Sequence, residues 1–389
     1  MIPYADFLYF GLIAIYIVIP TLLVRAIVGF SQIWILVATF LILGLGYQNI
    51  MIVGGEWAVL EVGVMAAYVI FQWLVAASFL RLRARTKSRW LFYAALALGL
   101  APLVVAKLMP RFNLGVIGFL GISYVTFRSL DVIFSIQDRL IAGIPIAQYF
   151  AYLFFFPTIS SGPIDRYRRF ADDWKRYHAR GELMIDLDGA VHRIFTGFLY
   201  KFILAALIDK YWLEPMKQFA GPLAAVSYMY AYSLYLFFDF AGYSAFAIAI
   251  SYLLGIHTPE NFNKPFLAPN IRDFWNRWHM TLSFWLRDHV YMRFVMAATK
   301  GRWFKNRFTA SHIGFFLSFG LMGLWHGVEP HYIIYGLYHA CLLVGYDIFS
   351  RWNKTHKLWG TSVRWRVAST LLTVHLVCFG FLIFSGYLG

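Results

Sequence analysis

Acidic residues are scarce in this chain. Nineteen Asp and Glu stand against 34 Lys and Arg, and only 14% of the 389 residues are charged. Soluble domains carry about 25% charge and about 45–50% apolar residues, whereas 60% of this chain is apolar and 20% aromatic. That balance excludes a soluble globular domain and predicts an integral membrane protein. Cysteine is nearly missing. Cys341 and Cys378 both fall inside apolar runs, which supports neither a disulfide framework nor a cysteine metal site. There is no G-x-S-x-G nucleophile turn, no phosphate-binding loop, no dinucleotide fingerprint and no H-E-x-x-H pattern. The apolar runs do not alternate with a period of two, which argues against an outer-membrane barrel. No internal repeat or low-complexity tract is visible. The net charge of +15 is scattered over short loops, a poor arrangement for nucleic acid and the ordinary one for cytoplasmic loops of a membrane protein.

The long apolar runs that are present predict spans near 7–26, 31–53, 57–80, 89–109, 114–136, 190–213, 222–256, 309–327, 331–350 and 367–387. The expected fold is an all-α integral membrane protein of about ten or eleven transmembrane helices, with re-entrant and interfacial helices. The first run follows Asp6 and precedes no small-residue cleavage site, so a retained span is expected. Arg81, Arg83, Arg85, Lys87 and Arg89 mark a cytoplasmic loop after the third run, which puts the N-terminus outside. The stretch from Tyr149 to Pro163 is apolar but short, and Pro157, Gly162 and Pro163 cannot continue a helix; a re-entrant element lining a cavity fits it. The basic run from Arg166 to Arg176 reads as a solvated cytoplasmic loop, with binding to lipid headgroups or a protein as the alternative. Residues 258–307 mix aromatic and charged residues without a clean span, as re-entrant and interfacial helices do.

Within the apolar runs, a few polar groups stand out. Arg128 and Asp131 lie three apart on one helix face and are expected to pair. Asp239 sits in Phe238-Asp239-Phe240-Ala241-Gly242-Tyr243-Ser244, where a bend with Asp239 facing inward is expected. His326 ends Gly320-Leu321-Met322-Gly323-Leu324-Trp325-His326-Gly327, whose glycines let a neighbouring helix approach. An ionisable side chain at that depth costs roughly 2.5 kcal/mol or more without a cavity or partner. One such histidine is as readily a packed side chain bonded to a carbonyl. A second, His279 in Phe274-Trp275-Asn276-Arg277-Trp278-His279, points to chemistry. A histidine able to take a proton from a hydroxyl is nearly all that acyl transfer from an activated thioester demands. No set of ligands converges for a metal.

The strings around Gly323–Gly327 and Phe274–Asp288 resemble those of the membrane-bound O-acyltransferase family, as do Tyr235–Ser244 and Gly121–Tyr124. Phe155–Phe170, Val191–Ile194 and Gly197–Phe202 resemble the family's teichoic-acid branch more than its alginate branch. The resemblance runs from about residue 118 to 345. It implies a ring of helices around a thin, funnel-like centre. Residues 1–389 would form one membrane domain, with N-terminal helices in 1–113, a catalytic core in 114–345 and a C-terminal helix in 346–389. It also implies a reaction: D-alanine moves from the phosphopantetheine thioester of a small acidic cytoplasmic carrier toward lipoteichoic or wall teichoic acid. His326 would be the general base, His279 would align the thioester carbonyl, and Asp239 and Asn276 would support them. No cofactor is held tightly, since the 4'-phosphopantetheine belongs to the donor protein. Other expected partners are membrane lipids and helper membrane proteins.

The carrier is expected to dock between His289 and Arg307. There Met292, Val295 and Met296 recur at helical spacing beside Lys300, Arg302, Lys305 and Arg307, an apolar strip with a basic rim. The same face would also suit a helix lying on lipid. A reading from another class remains: a multi-pass transporter of protons or a lipid-linked substrate also uses broken helices and buried histidines.

Overall fold

The computed structural model describes residue 4 and residues 7–54, 57–86, 88–109, 119, 121–176 and 181–389, except the side chains of 45–54, 57–62 and 307. The first residues of the span expected at 114–136, namely 114–118 and 120, lie outside the described residues. So does the Arg307 side chain. Every regular element among the described residues is helical. Eight described helices are long and apolar enough to cross a membrane, and a shorter apolar stretch lies at Gln32–Gly44. The chain packs as two compact units, Met1–Gly197 with Tyr243–Pro259, and Phe198–Gly242 with Glu260–Gly389.

The first unit begins with α1 (Phe7–Ile27), α2 (Gln32–Gly54), α3 (Trp57–Arg85) and α4 (Arg89–Leu108). Pro20 has no N–H to return to Tyr16, and the ladder loosens into a π turn over Ala14–Val18. The next helix, α5 (Ile122–Gln137), is the shorter element found where the 114–136 span was expected. Every residue from Tyr124 to Ile136 is buried, the polar Thr126, Arg128, Ser129, Asp131 and Ser135 included. It starts at Gly121, whose φ of 93° and position against the Ile159 carbonyl leave no room for a Cβ. Short α6 (Ile146–Leu153) follows, then a single 3₁₀ turn at Phe156–Thr158.

That broken segment leaves carbonyls without helical partners, and the buried Arg128 of α5 supplies donors. Its guanidinium bonds the Tyr152 and Leu153 carbonyls at 3.2 Å each and the Thr158 carbonyl at 2.6 Å. Asp131 accepts from Arg166 at 2.8 Å and from the Tyr167 N–H at 2.9 Å. The two residues expected as a pair thus each anchor the segment that follows. The basic run beyond it is not a loop but α7 (Tyr167–Lys175), with Tyr167, Phe170 and Trp174 buried. Arg169 is clamped between Asp165 and Asp173, the latter at 2.6 Å, because its sequence neighbours at i±4 are carboxylates.

The unit boundary falls inside α8 (Glu182–Met216) after Gly197, and inside α9 (Pro222–Leu253) after Gly242. A bend was expected at Asp239, but α9 is one unbroken helix of 32 residues, roughly 48 Å long. No residue of α9 after Pro222 lacks a backbone N–H, so the ladder has no reason to open.

The second unit continues through α10 (Ile271–Trp275), α11 (Met280–Leu286) and, past a π turn, α12 (Met292–Lys300). These short helices replace a clean span over 258–307, as the mixed composition predicted. The unit closes with α13 (Arg307–His326), α14 (Pro330–His356) and α15 (Val363–Phe384). The close approach of α13 and α14 rests on Gly323 and Gly336: a Cβ on the first would strike the Tyr332 carbonyl, and on the second the Phe319 carbonyl. Gly320, expected on that seam, faces open space, and Gly327 lies beyond the helix with extended backbone.

Gly336→Ala should therefore lower stability by about 1–3 kcal/mol through forced separation of the two backbones. Gly345→Ala, where an added Cβ meets nothing, should be neutral or slightly stabilising. Thermal unfolding in detergent distinguishes them, and equal effects would contradict this packing.

Candidate active site

His326 is the last residue of α13, where the helix presents its unbonded carbonyl groups. It is half-buried, with ring centroids of Trp325 at 4.6 Å, Phe384 at 4.8 Å, and Tyr332 and Tyr335 each at 6.1 Å. Gly327 and Glu329-Pro330 end α13 and start α14, so the chain reverses immediately after the imidazole. Positive charge developing on the ring is favoured at the carbonyl end of a helix. The aromatic walls restrict water. A partly accessible histidine in this setting can take a proton from a bound hydroxyl and keep it.

His279 is built differently. It is 4% exposed and stands at the start of α11 with φ 42° and ψ 52°, a left-handed conformation rarely adopted by a side-chain-bearing residue. Such strain costs of order 1–3 kcal/mol and persists only when neighbours fix it. Here Asn261 does: its carbonyl accepts from Met280 N–H at 2.9 Å and its side chain from the Thr281 hydroxyl at 2.6 Å. Asn263 N–H bonds the Arg277 carbonyl at 2.9 Å across the same turn. Below and beside it Trp278 stacks on Phe274, centroids 5.6 Å apart, and meets Phe381 at 4.7 Å. The His279 ring lies edge-on to Phe240 at 4.8 Å and 6.2 Å from Trp325. Its Nε2 is buried with no hydrogen-bond partner among the described residues. Burial pushes this imidazole down to about 3, and the nearby His326 adds to the effect. His279 is therefore neutral, with one ring nitrogen left for a ligand.

The structure thus brings the two histidines into one aromatic enclosure. Asn276 lines an adjoining cavity of about 400 Å³, with Ser283, Ser318 and Met322 among its walls. Met322 lies one helical turn before His326 on α13. Two polar atoms of that lining, Trp275 Nε1 and Ser318 Oγ, are buried with no hydrogen-bond partner among the described residues. Asp239 is taken up elsewhere, by an ion pair with Lys201 of α8. From α9 it is Phe240, the next residue, that reaches His279.

Of the expected docking residues, Met292 and Met296 are exposed, at 43% and 65%, and Lys300, Arg302 and Lys305 are exposed beside them. Val295 is half-buried and leans on Gly314 of α13. It belongs to the packing of α12 rather than to its open face. Sequence reasoning missed Asn261 and His339. Asn261 gives no local signal, since its role is set by a turn 19 residues onward. His339 is fully buried among Trp275, Tyr335 and Tyr338. Its position inside an apolar run was the signal that should have found it. No group of three or more His, Cys, Asp or Glu is placed to hold a metal among the described residues.

The model of the membrane-bound O-acyltransferase family matches residues 135–387, a range that contains both histidines. The chain is 43% identical over 398 residues to the teichoic acid D-alanyltransferase of Bacillus subtilis (strain 168), covering 99% of this chain and 98% of that one. It is 43% identical to the teichoic acid D-alanyltransferase of Lacticaseibacillus rhamnosus over 83% of this chain and 84% of the relative. The protein of the same name from Streptococcus thermophilus is 40% identical, over 82% and 81% of the respective chains.

The Lys201–Asp239 pair predicts a structural phenotype. Lys201→Met should leave the carboxylate without its counter-ion and destabilise the protein by roughly 1–3 kcal/mol. The pair is only half-buried, so the double variant Lys201→Met/Asp239→Leu, which leaves no charge unpaired, should recover at least part of that loss. Thermal unfolding of the single and double variants is the check; no recovery in the double variant would mean Asp239 does more than pair.

Proposed function

The chain belongs to the membrane-bound O-acyltransferase family, and we propose that it transfers D-alanine from a carrier-bound thioester to a hydroxyl on the way to teichoic acid. It is a membrane-bound acyltransferase, which replaces the transporter reading. D-alanylation of teichoic acid follows from the names of the relatives that match it over nearly their full length. The observation that carries the mechanism is the contrast between two neighbouring imidazoles, one half-accessible at a helix end and one buried and neutral.

In this reading His326 accepts the proton of the acceptor hydroxyl as its oxygen attacks the thioester carbonyl. The carbon–sulfur bond breaks, an oxygen ester forms, and the proton passes to the departing thiolate. His279 orients the carbonyl and, as a neutral donor, stabilises the negative charge that develops on its oxygen. The pantetheine arm of the donor carries two amides and a hydroxyl along short aliphatic stretches. The cavity lined by Trp275, Asn276 and Ser318 fits such an arm, offering one indole N–H and one hydroxyl that need partners. Met292, Met296 and the basic residues after them form the landing surface for an acidic carrier. The basic end of α3, with Arg81, Arg83 and Arg85, and this surface then face the cytoplasm, with the N-terminus outside. Helper membrane proteins pass the ester on to the wall polymer.

His326→Ala should reduce transfer per folded molecule by about 10²–10⁴-fold, the usual weight of a general base, and leave carrier binding intact. His279→Ala should cost less. Met296→Asp should give the opposite pairing, with carrier binding lost and the fold retained. Transfer measured beside carrier binding and thermal stability separates these outcomes, and a fully active His326→Ala protein would remove the mechanism. Orientation has its own check. In a chain whose native cysteines are alanine, a cysteine at position 85 should resist a membrane-impermeant maleimide in intact cells; ready labelling would invert the topology.

A further inference from the structure

A larger open space in the second unit has neither histidine in its lining. A groove of about 1020 Å³ runs between α14 and α15, closed at one side by Pro269, Asn270 and Ile271. That is the size of a large ligand site. Its walls are apolar along most of their length, with Leu342, Phe349, Leu372 and Leu376. Both helices that form it are long and apolar enough to cross a membrane.

At one end the chemistry changes. Lys354 lies in the last turn of α14, Lys357 caps that helix, and Arg366 lies in the first turn of α15; all three line the groove. None of their side chains has a hydrogen-bond or ion-pair partner among the described residues, and no Asp or Glu is part of the lining. The nearest carboxylate along α14, Asp347, is already engaged by Arg272, Arg351 and His312. The connection that presents the cations is fixed: Asn353 donates to the Trp359 carbonyl at 2.8 Å and accepts from its N–H at 2.7 Å. Trp359 Nε1 donates to Ser369 Oγ at 2.7 Å. The backbone of Lys357 holds φ 55°, the left-handed cap that turns the chain back. In the groove Gly345 leaves open space where a side chain would stand.

We propose that this groove binds one anionic glycerophospholipid. Its phosphate sits among Lys354, Lys357 and Arg366, and an acyl chain lies along Leu342, Phe349, Leu372 and Leu376 over Gly345. The pattern of an apolar trough ending in several uncompensated cations matches a lipid better than either a soluble anion or an apolar helix. An anion alone needs no trough, and a helix would bury the three charges unpaired. The surface attraction of one basic residue for anionic lipid is worth a factor of roughly 5 in affinity.

The test uses the full-length protein purified in detergent and titrated with phosphatidylglycerol or phosphatidylcholine of the same chains, read by native mass spectrometry. A single tightly held phosphatidylglycerol is expected, with phosphatidylcholine bound much more weakly. Lys354→Ala/Lys357→Ala should lose roughly 25-fold in affinity for phosphatidylglycerol and little for phosphatidylcholine. Gly345→Leu fills the groove from a position with room for it, and should abolish the single adduct while the unliganded unfolding temperature stays near wild type. Equal binding of the two lipids, or an adduct that survives Gly345→Leu, would overturn the proposal. So would displacement of the lipid by inorganic phosphate at equal concentration, which would mark a simple anion site, or by an acidic carrier protein, which would mark a protein-docking surface.

Discussion

A backbone that leaves the helix inside an apolar protein must find new partners for every N–H and C=O it frees. Much of this molecule follows from how that demand is met. Arg128 spends its guanidinium on two carbonyls at the end of α6 and one in the turn that follows. Asn261 holds the turn at His279 with its own carbonyl and its side chain. In each unit, one buried polar residue from a distant part of the chain makes an irregular segment possible. At His279 the result is a strained backbone and a ring nitrogen without a partner among the described residues, both fixed in place before any substrate arrives.

The same economy divides the labour of the histidines. His326 ends a helix and is only half-buried, beside carbonyls that favour positive charge on its ring. His279 is enclosed by Phe240 and Trp325, so charging it is costly and it stays neutral. In the proposed reaction the first would serve as the base and the second as a neutral donor to the thioester carbonyl. The scarcity of acidic residues acts at longer range: it leaves Lys300, Arg302 and Lys305 exposed beside Met292 and Met296, a surface an acidic carrier can be steered to.

The chemistry was more legible in the sequence than the packing. Both histidines announced themselves as ionisable groups in apolar runs, and the apolar runs themselves gave most of the long helices. α5 was harder to read because a helix buried on all sides and a membrane span look alike; only its neighbours α3, α4 and α6 tell them apart. Gly320 and Gly323 have the same local context, and which one meets α14 depends on the rotation of the helix. Asp239 looked like an inward group supporting the histidines because its partner, Lys201, is 38 residues away in sequence and directly beside it in space. Val295 and Met296 are adjacent in the same strip, yet Gly314 draws the first inward. In each case the missing information is a long-range contact that local spacing does not carry.

The central claim is that this chain empties a thioester into an oxygen ester through His326. The most direct measurement supplies radiolabelled D-alanyl carrier to membranes from cells lacking the chain, then restores the purified protein and follows the label. The account predicts that label leaves the carrier for an alkali-labile ester only when the wild-type protein is restored, with free carrier thiol appearing in equal amount. Label that stays on the carrier, or that moves as fast with His326→Ala as with wild type, would contradict it.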